Sequence, residues 1–108
     1  MILNRLPIKT LTFIFTSLLC FGALAQPSKE ELRAQLEEAS FNQQFELANT
    51  LMEDKIYQEA LFVWDFMLED NPTNSNLLYK AGMCFIGLNN ERKALPYFEK
   101  AQYSVTKN

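Results

Sequence analysis

The residues that could do chemistry are few, and their spacing does not assemble a reaction centre. The 108-residue chain contains no histidine. That excludes Ser–His and Cys–His nucleophile pairs and the zinc helix built on two histidines. The glycines, Gly22, Gly82 and Gly87, form no phosphate-cradling loop. Carboxylates do come in adjacent pairs: Glu30/Glu31, Glu37/Glu38, Glu53/Asp54 and Glu69/Asp70. Paired acids can move protons when a cleft raises one pKa. Neighbours on a helix point in different directions, however, and these pairs fall at a helix start, on a polar face or at turns. They read as solvated surface. No catalytic residue, metal ligand or cofactor is expected, and the chain is read as a non-enzyme.

Cysteine offers little more. Cys20 falls in an apolar N-terminal block, which leaves Cys84 without a partner in the chain. A reactive or intermolecular thiol is one reading of Cys84. Its neighbours Met83 and Phe85 supply neither base nor positive charge, so a small buried apolar residue is the better one.

The N-terminal block has the layout of a secretory signal peptide. Arg5 and Lys9 make a positive start, an apolar run follows from Thr10 to about Gly22, and Ala23-Leu24-Ala25 ends it small-x-small. The run is short for an uncleaved anchor, since a bilayer core of about 30 Å needs ~20 residues. Cys20 would be the lipid-bearing residue of a lipoprotein, but Leu19 stands before it where a small residue is required. Cleavage after Ala25 is expected. The protein would then be exported and periplasmic or outer-membrane-associated. Removing Arg5 and Lys9 from the 10 basic residues leaves 8 against 13 acidic ones, a net charge of −5. With no basic cluster, nucleic acid is not an expected partner.

Beyond Gln26 the periodicity is helical throughout, and the fold class is all-α. Ser28 and Glu31 form a capping-box pattern ahead of a stripe through Leu32, Leu36 and Ala39. This leading helix or cap spans 26–40; it is too short to assert a coiled coil. At Ser40-Phe41-Asn42 a new helix begins or the old one bends. Stripes then run through Phe45, Ala48, Leu51 and Met52, and through Ala60, Leu61, Trp64, Met67 and Leu68. Asp70-Asn71-Pro72-Thr73-Asn74 stops the chain, and Asn74 or Ser75 can cap the next helix. Leu78, Ala81, Gly82 and Phe85 follow, then a turn at 87–90, then Ala94, Leu95, Phe98 and Ala101.

Laid on itself so that Phe45 falls on Tyr79, the chain matches itself at a series of positions. Ala48 falls on Gly82, Leu51 on Phe85, Ala60 on Ala94 and Trp64 on Phe98. Small meets small and large meets large. Paired helices recurring at a period of about 34 residues resemble the tetratricopeptide repeat, whose motif runs W-x2-L-G-x2-Y, A-x3-F, P. Repeat one, 41–74, supplies Leu47, Ala48, Leu51, Ala60, Trp64 and Pro72. Repeat two, 75–108, supplies Leu78, Gly82, Phe85, Ala94 and Phe98. Four positions depart from the motif. Gln44 replaces the first bulky residue, Glu91 stands where repeat one has Tyr57, Thr106 replaces the closing proline, and Pro96 should bend or loosen the last helix.

The stretch 76–108 also resembles the N-terminal repeat region of OmpA-family envelope proteins of Bacteroidota-type bacteria, through Y-K-x-G-x-C-[FY] and K-A-x-P-Y-x-E-K-A. The resemblance implies a protein–protein interaction module or scaffold in the cell envelope. It carries over neither propeller nor peptidoglycan-binding domain. By the repeat family's pattern, the first helix of each repeat lines a concave groove. The implied groove residues are Asn42, Phe45, Asn49, Met52 and Glu53 from repeat one, with Asn76, Tyr79, Met83 and Ile86 from repeat two. Asparagines can bond a peptide backbone, and the aromatic and methionine side chains give adaptable apolar contact. None of these positions is basic, so no carboxylate clamp is expected. Alternatively Phe45 and Met52 pack against the leading helix and partly close the groove.

The expected partner is a protein or peptide of the envelope, with no small-molecule substrate. Two repeats are fewer than the three a solenoid usually needs. The C-terminal end, with Leu95 and Phe98 lacking a following helix, reads either as a truncated frame or as a surface for a partner or a second copy. A passive spacer or oligomerisation segment within a larger OmpA-like envelope protein is the alternative function.

Overall fold

The computed structural model describes residues 28–107. Five α-helices make up this span: α1 (Lys29–Glu38), α2 (Phe41–Glu53), α3 (Tyr57–Asp70), α4 (Ser75–Gly87) and α5 (Glu91–Lys107). The expected all-α class is what is seen, with no strand among the described residues. The expected signal peptide lies outside them. Among them, no helix is long and apolar enough to cross a membrane. The chain divides into two compact units, 1–43 and 44–108.

In the first unit, Ser28 and Glu31 cap α1 reciprocally: the Ser28 hydroxyl accepts from the Glu31 N–H at 3.1 Å, and the Glu31 carboxylate accepts from the Ser28 N–H at 3.2 Å. These are the donors that a helix start leaves unpaired. Leu32 and Leu36 are buried. The question at Ser40 resolves as a new helix, because Ser40 and Gln43 form a second capping box, with bonds of 2.9 and 3.2 Å.

In the second unit, α3 packs on α4 and α4 on α5. Ala48, Ala60, Ala81 and Ala94 are buried at or below 1% exposure, and Trp64 is fully buried. Small residues there let helices approach while the aromatic side chains fill the space between them. Gly82 shows how close the approach is. A Cβ on it would stand 2.5 Å from the Phe98 ring.

The corners recur. At the end of α2 the Ile56 N–H bonds the Leu51 carbonyl at 2.8 Å, and the Lys55 N–H bonds Met52 at 2.9 Å. At the end of α4 the Asn90 N–H bonds Phe85 at 2.8 Å, and the Asn89 N–H bonds Ile86 at 2.9 Å. Both are Schellman ends, and each needs a left-handed residue. Lys55 and Asn89 supply it, at φ 62° and 61°. Of the two candidate caps before α4, Asn74 is the one used; its side chain accepts from the Leu77 N–H at 3.1 Å.

Pro96 lies inside a helix without ending it. Helix α5 runs unbroken through it. The ring denies the Arg92 carbonyl its donor, but Arg92 is exposed and water can serve instead.

Candidate protein-binding face

The residues expected to line a groove lie on α2 and α4, and the fold uses them unequally. Asn42 is exposed in the first turn of α2. Phe45 and Met52 are half-buried and committed to Trp64. The Phe45 ring meets the indole edge-on at 5.2 Å, and the indole N–H donates to the Met52 sulfur at 3.3 Å. Asn49 is half-buried between them in sequence, and Glu53 is exposed.

On α4, Asn76, Tyr79 and Ile86 are exposed and Met83 is half-buried. Tyr79 is 50% exposed even though its ring leans on Phe98, with centroids 5.7 Å apart. The aromatic pair Phe45–Trp64 thus has a counterpart further along the chain in Tyr79–Phe98. α4 therefore presents more of its expected residues to solvent than α2 does.

Lys80 is not among the expected face residues. Its ammonium lies 5.9 Å from the Phe45 ring centroid, a cation–π contact that joins α4 to α2. A cation therefore stands at the edge of this face, although none of the expected positions is basic. Its signal in the sequence is weak: Lys80 follows Tyr79 directly, and Glu46 stands at the matching place after Phe45.

A second concavity lies elsewhere. An open cleft of about 500 Å³ is bounded by Asp65 and Glu69 of α3, Pro72, and Pro96, Tyr97 and Lys100 of α5, with Leu68 and Leu78 as apolar lining. The Tyr97 hydroxyl donates to Asp65 Oδ1 at 3.3 Å. Partial desolvation raises the Asp65 pKa; the Tyr97 bond opposes this, and Glu69 adds to it. Desolvation also raises Tyr97, with Asp65 adding to it. Asp65 and Glu69 stand four apart on one helix face, a spacing that a search for adjacent carboxylates passes over. No nucleophile with a base accompanies them, so the cleft is a shallow recess with a carboxyl–phenol bond at its rim.

Cys84 is buried, and burial pushes its thiol up to about 11. It is an inert packing residue beside the Trp64 indole. The adjacent carboxylate pairs are all exposed, as solvated surface should be. Among the described residues no group of three or more His, Cys, Asp or Glu side chains could hold a metal.

No protein-family model, curated relative or solved structure matches the chain.

Proposed function

We propose that this chain is an exported tetratricopeptide-type repeat protein that holds another protein in the bacterial envelope and does not catalyse a reaction. The observation that carries the reading is a recurrence of structural detail from one repeat to the next. It joins the helix caps Ser40 and Asn74, the left-handed corners Lys55 and Asn89, and the ring pairs Phe45–Trp64 and Tyr79–Phe98. Helical hairpins built to one plan can stack, and stacked hairpins make an extended binding surface. The proposed holding face comprises Asn49 and Glu53 of α2 and Asn76, Tyr79, Met83 and Ile86 of α4, while Phe45 and Met52 contact Trp64. Export follows from the N-terminal pattern ending at Ala25.

Alanine at Asn49 and Tyr79, followed by capture of partners from envelope extract, tests the reading. Loss of a partner in both variants supports it, provided that circular dichroism shows both still fold. An unchanged set of partners removes the face from consideration.

A specific observation favours a second reading. Phe45 and Met52 already serve Trp64 and offer less to a ligand. A passive spacer or oligomerisation segment would need no more than that.

A further inference from the structure

The Trp64 indole N–H, on α3, donates to the Met52 sulfur, on α2, at 3.3 Å. The two ends of this bond differ in access. Trp64 is fully buried, so water cannot replace a lost partner of its N–H. Met52 is half-buried and keeps part of its surface in solvent. An oxidisable side chain that solvent reaches is thus bonded to a donor that solvent does not reach.

The other sulfurs of the described residues are placed differently. Met67 is 2% exposed. Met83 is half-buried like Met52, but it stands on α4 and is not the sulfur that Trp64 bonds. Cys84 is buried beside the same indole. Thiol oxidation starts from the thiolate, and burial pushes the Cys84 ionisation up to about 11, so at neutral pH it holds almost no thiolate. A thioether has no proton to lose, and its lone pair is ready at any pH. Access and protonation together therefore favour Met52.

We propose that Met52 is a reversible oxidation site through which a peroxide-class oxidant breaks the contact between α2 and Trp64. The sulfur lone pair attacks one peroxide oxygen. The S–O bond forms, the O–O bond breaks, and the departing oxygen leaves as water after proton transfer. Sulfur is oxidised by two electrons and the peroxide is reduced by the same two. An oxygen added along the N–H···S line does not fit. Within 3.3 Å it would stand closer to the nitrogen than the about 2.7 Å that an N–H···O bond allows. An oxygen added to the other lone pair draws electron density from the sulfur and makes an apolar side chain polar. In both cases the N–H loses the Met52 sulfur and is left to the Cys84 thiol, a weak acceptor. Reduction of the sulfoxide by a sulfoxide reductase restores the thioether. The site does not depend on the proposed holding face.

The test treats the full chain with hydrogen peroxide at neutral pH. Peptide mass mapping should show one added oxygen on Met52 ahead of Met67, with Cys84 unmodified. The emission of Trp64, the sole tryptophan, should shift to the red, and the urea midpoint should fall. Treatment with both methionine sulfoxide reductases, one for each epimer, should restore emission and midpoint. Met52→Leu, close in volume and inert to peroxide, should abolish the response, and Met83→Leu should retain it. Oxygen on Met67 or Cys84 ahead of Met52 overturns the proposal. So does an oxidised Met52 with unchanged emission and midpoint, or a response that persists in M52L. Where circular dichroism shows M52L unfolded, the reductase experiment on the unsubstituted chain decides: emission that does not recover with the thioether overturns the proposal.

Discussion

Lys55 and Asn89 hold the same left-handed backbone conformation at the ends of α2 and α4, φ 62° and 61°, each closing a Schellman end. The geometry is common to both, but the residues suit it differently. Asparagine tolerates left-handed φ, whereas lysine bears the steric cost of its Cβ. Lys55→Gly should therefore raise stability by roughly 0.5–1 kcal/mol, and Asn89→Gly should change it much less. Urea unfolding of both variants checks this. A lower midpoint for Lys55→Gly contradicts the corner described here.

Gly82 is needed for closeness rather than for φ. Alanine there would favour the helix by about 1 kcal/mol, but its Cβ would press into the Phe98 ring. Overpacking costs about 1–3 kcal/mol, so the net change should be destabilising. In a Phe98→Leu background the penalty should shrink, and a double-mutant cycle by thermal unfolding measures the difference. Additive effects would mean that Gly82 and Phe98 do not meet.

Trp64 is the sole tryptophan and is fully buried. Its native emission should be blue-shifted and should move to the red on unfolding. Trp64→Ala should cost about 3–5 kcal/mol. Trp64→Phe should cost less, since it keeps a ring against Phe45 and loses the N–H bond to Met52. Near-equal losses for the two variants would place the importance of Trp64 in its N–H group instead of its volume.

The buried thiol gives a pH dependence with a definite sign. Cys84 ionises at about 11 in the folded chain, against an ordinary value of 9.0, because burial disfavours the thiolate. Below pH 9 the thiol is protonated in both states and costs nothing. Between about 9 and 11 the unfolded chain ionises first, so stability falls as pH rises through that window. Tyr97, also raised by desolvation, adds in the same direction at higher pH. Cys84→Ala should flatten the fall between pH 9 and 11 in urea titrations. An unchanged slope contradicts the assignment. Native Cys84 should also resist alkylation near neutral pH.

The helices were legible because their stripes, caps and stops reinforce one another. Ser28 with Glu31 marks one start, and Asn71-Pro72-Thr73-Asn74 marks a stop followed by another start. The size match of Ala48 with Gly82 and of Trp64 with Phe98 was legible too, and the left-handed corners at Lys55 and Asn89 fall at the same spacing. What residue types could not reveal was which side chains the packing uses. Phe45 and Met52 look like groove residues by position, yet both turn to Trp64 from within the same hairpin. The Asp65–Tyr97 bond joins two different helices, and no local pattern announces it. Pro96 does not interrupt α5. The carbonyl it deprives belongs to an exposed residue.

The proposed partner-holding face is tested most directly by site-specific photo-crosslinking in cells that make the full chain. Benzoylphenylalanine would be placed at Asn76 or Tyr79 on the exposed side of α4, and at exposed Lys93 on α5 as a control. A single protein adduct shared by positions 76 and 79 and absent at 93 is the predicted result. No adduct at 76 and 79, or the same adduct at all three positions, would contradict it.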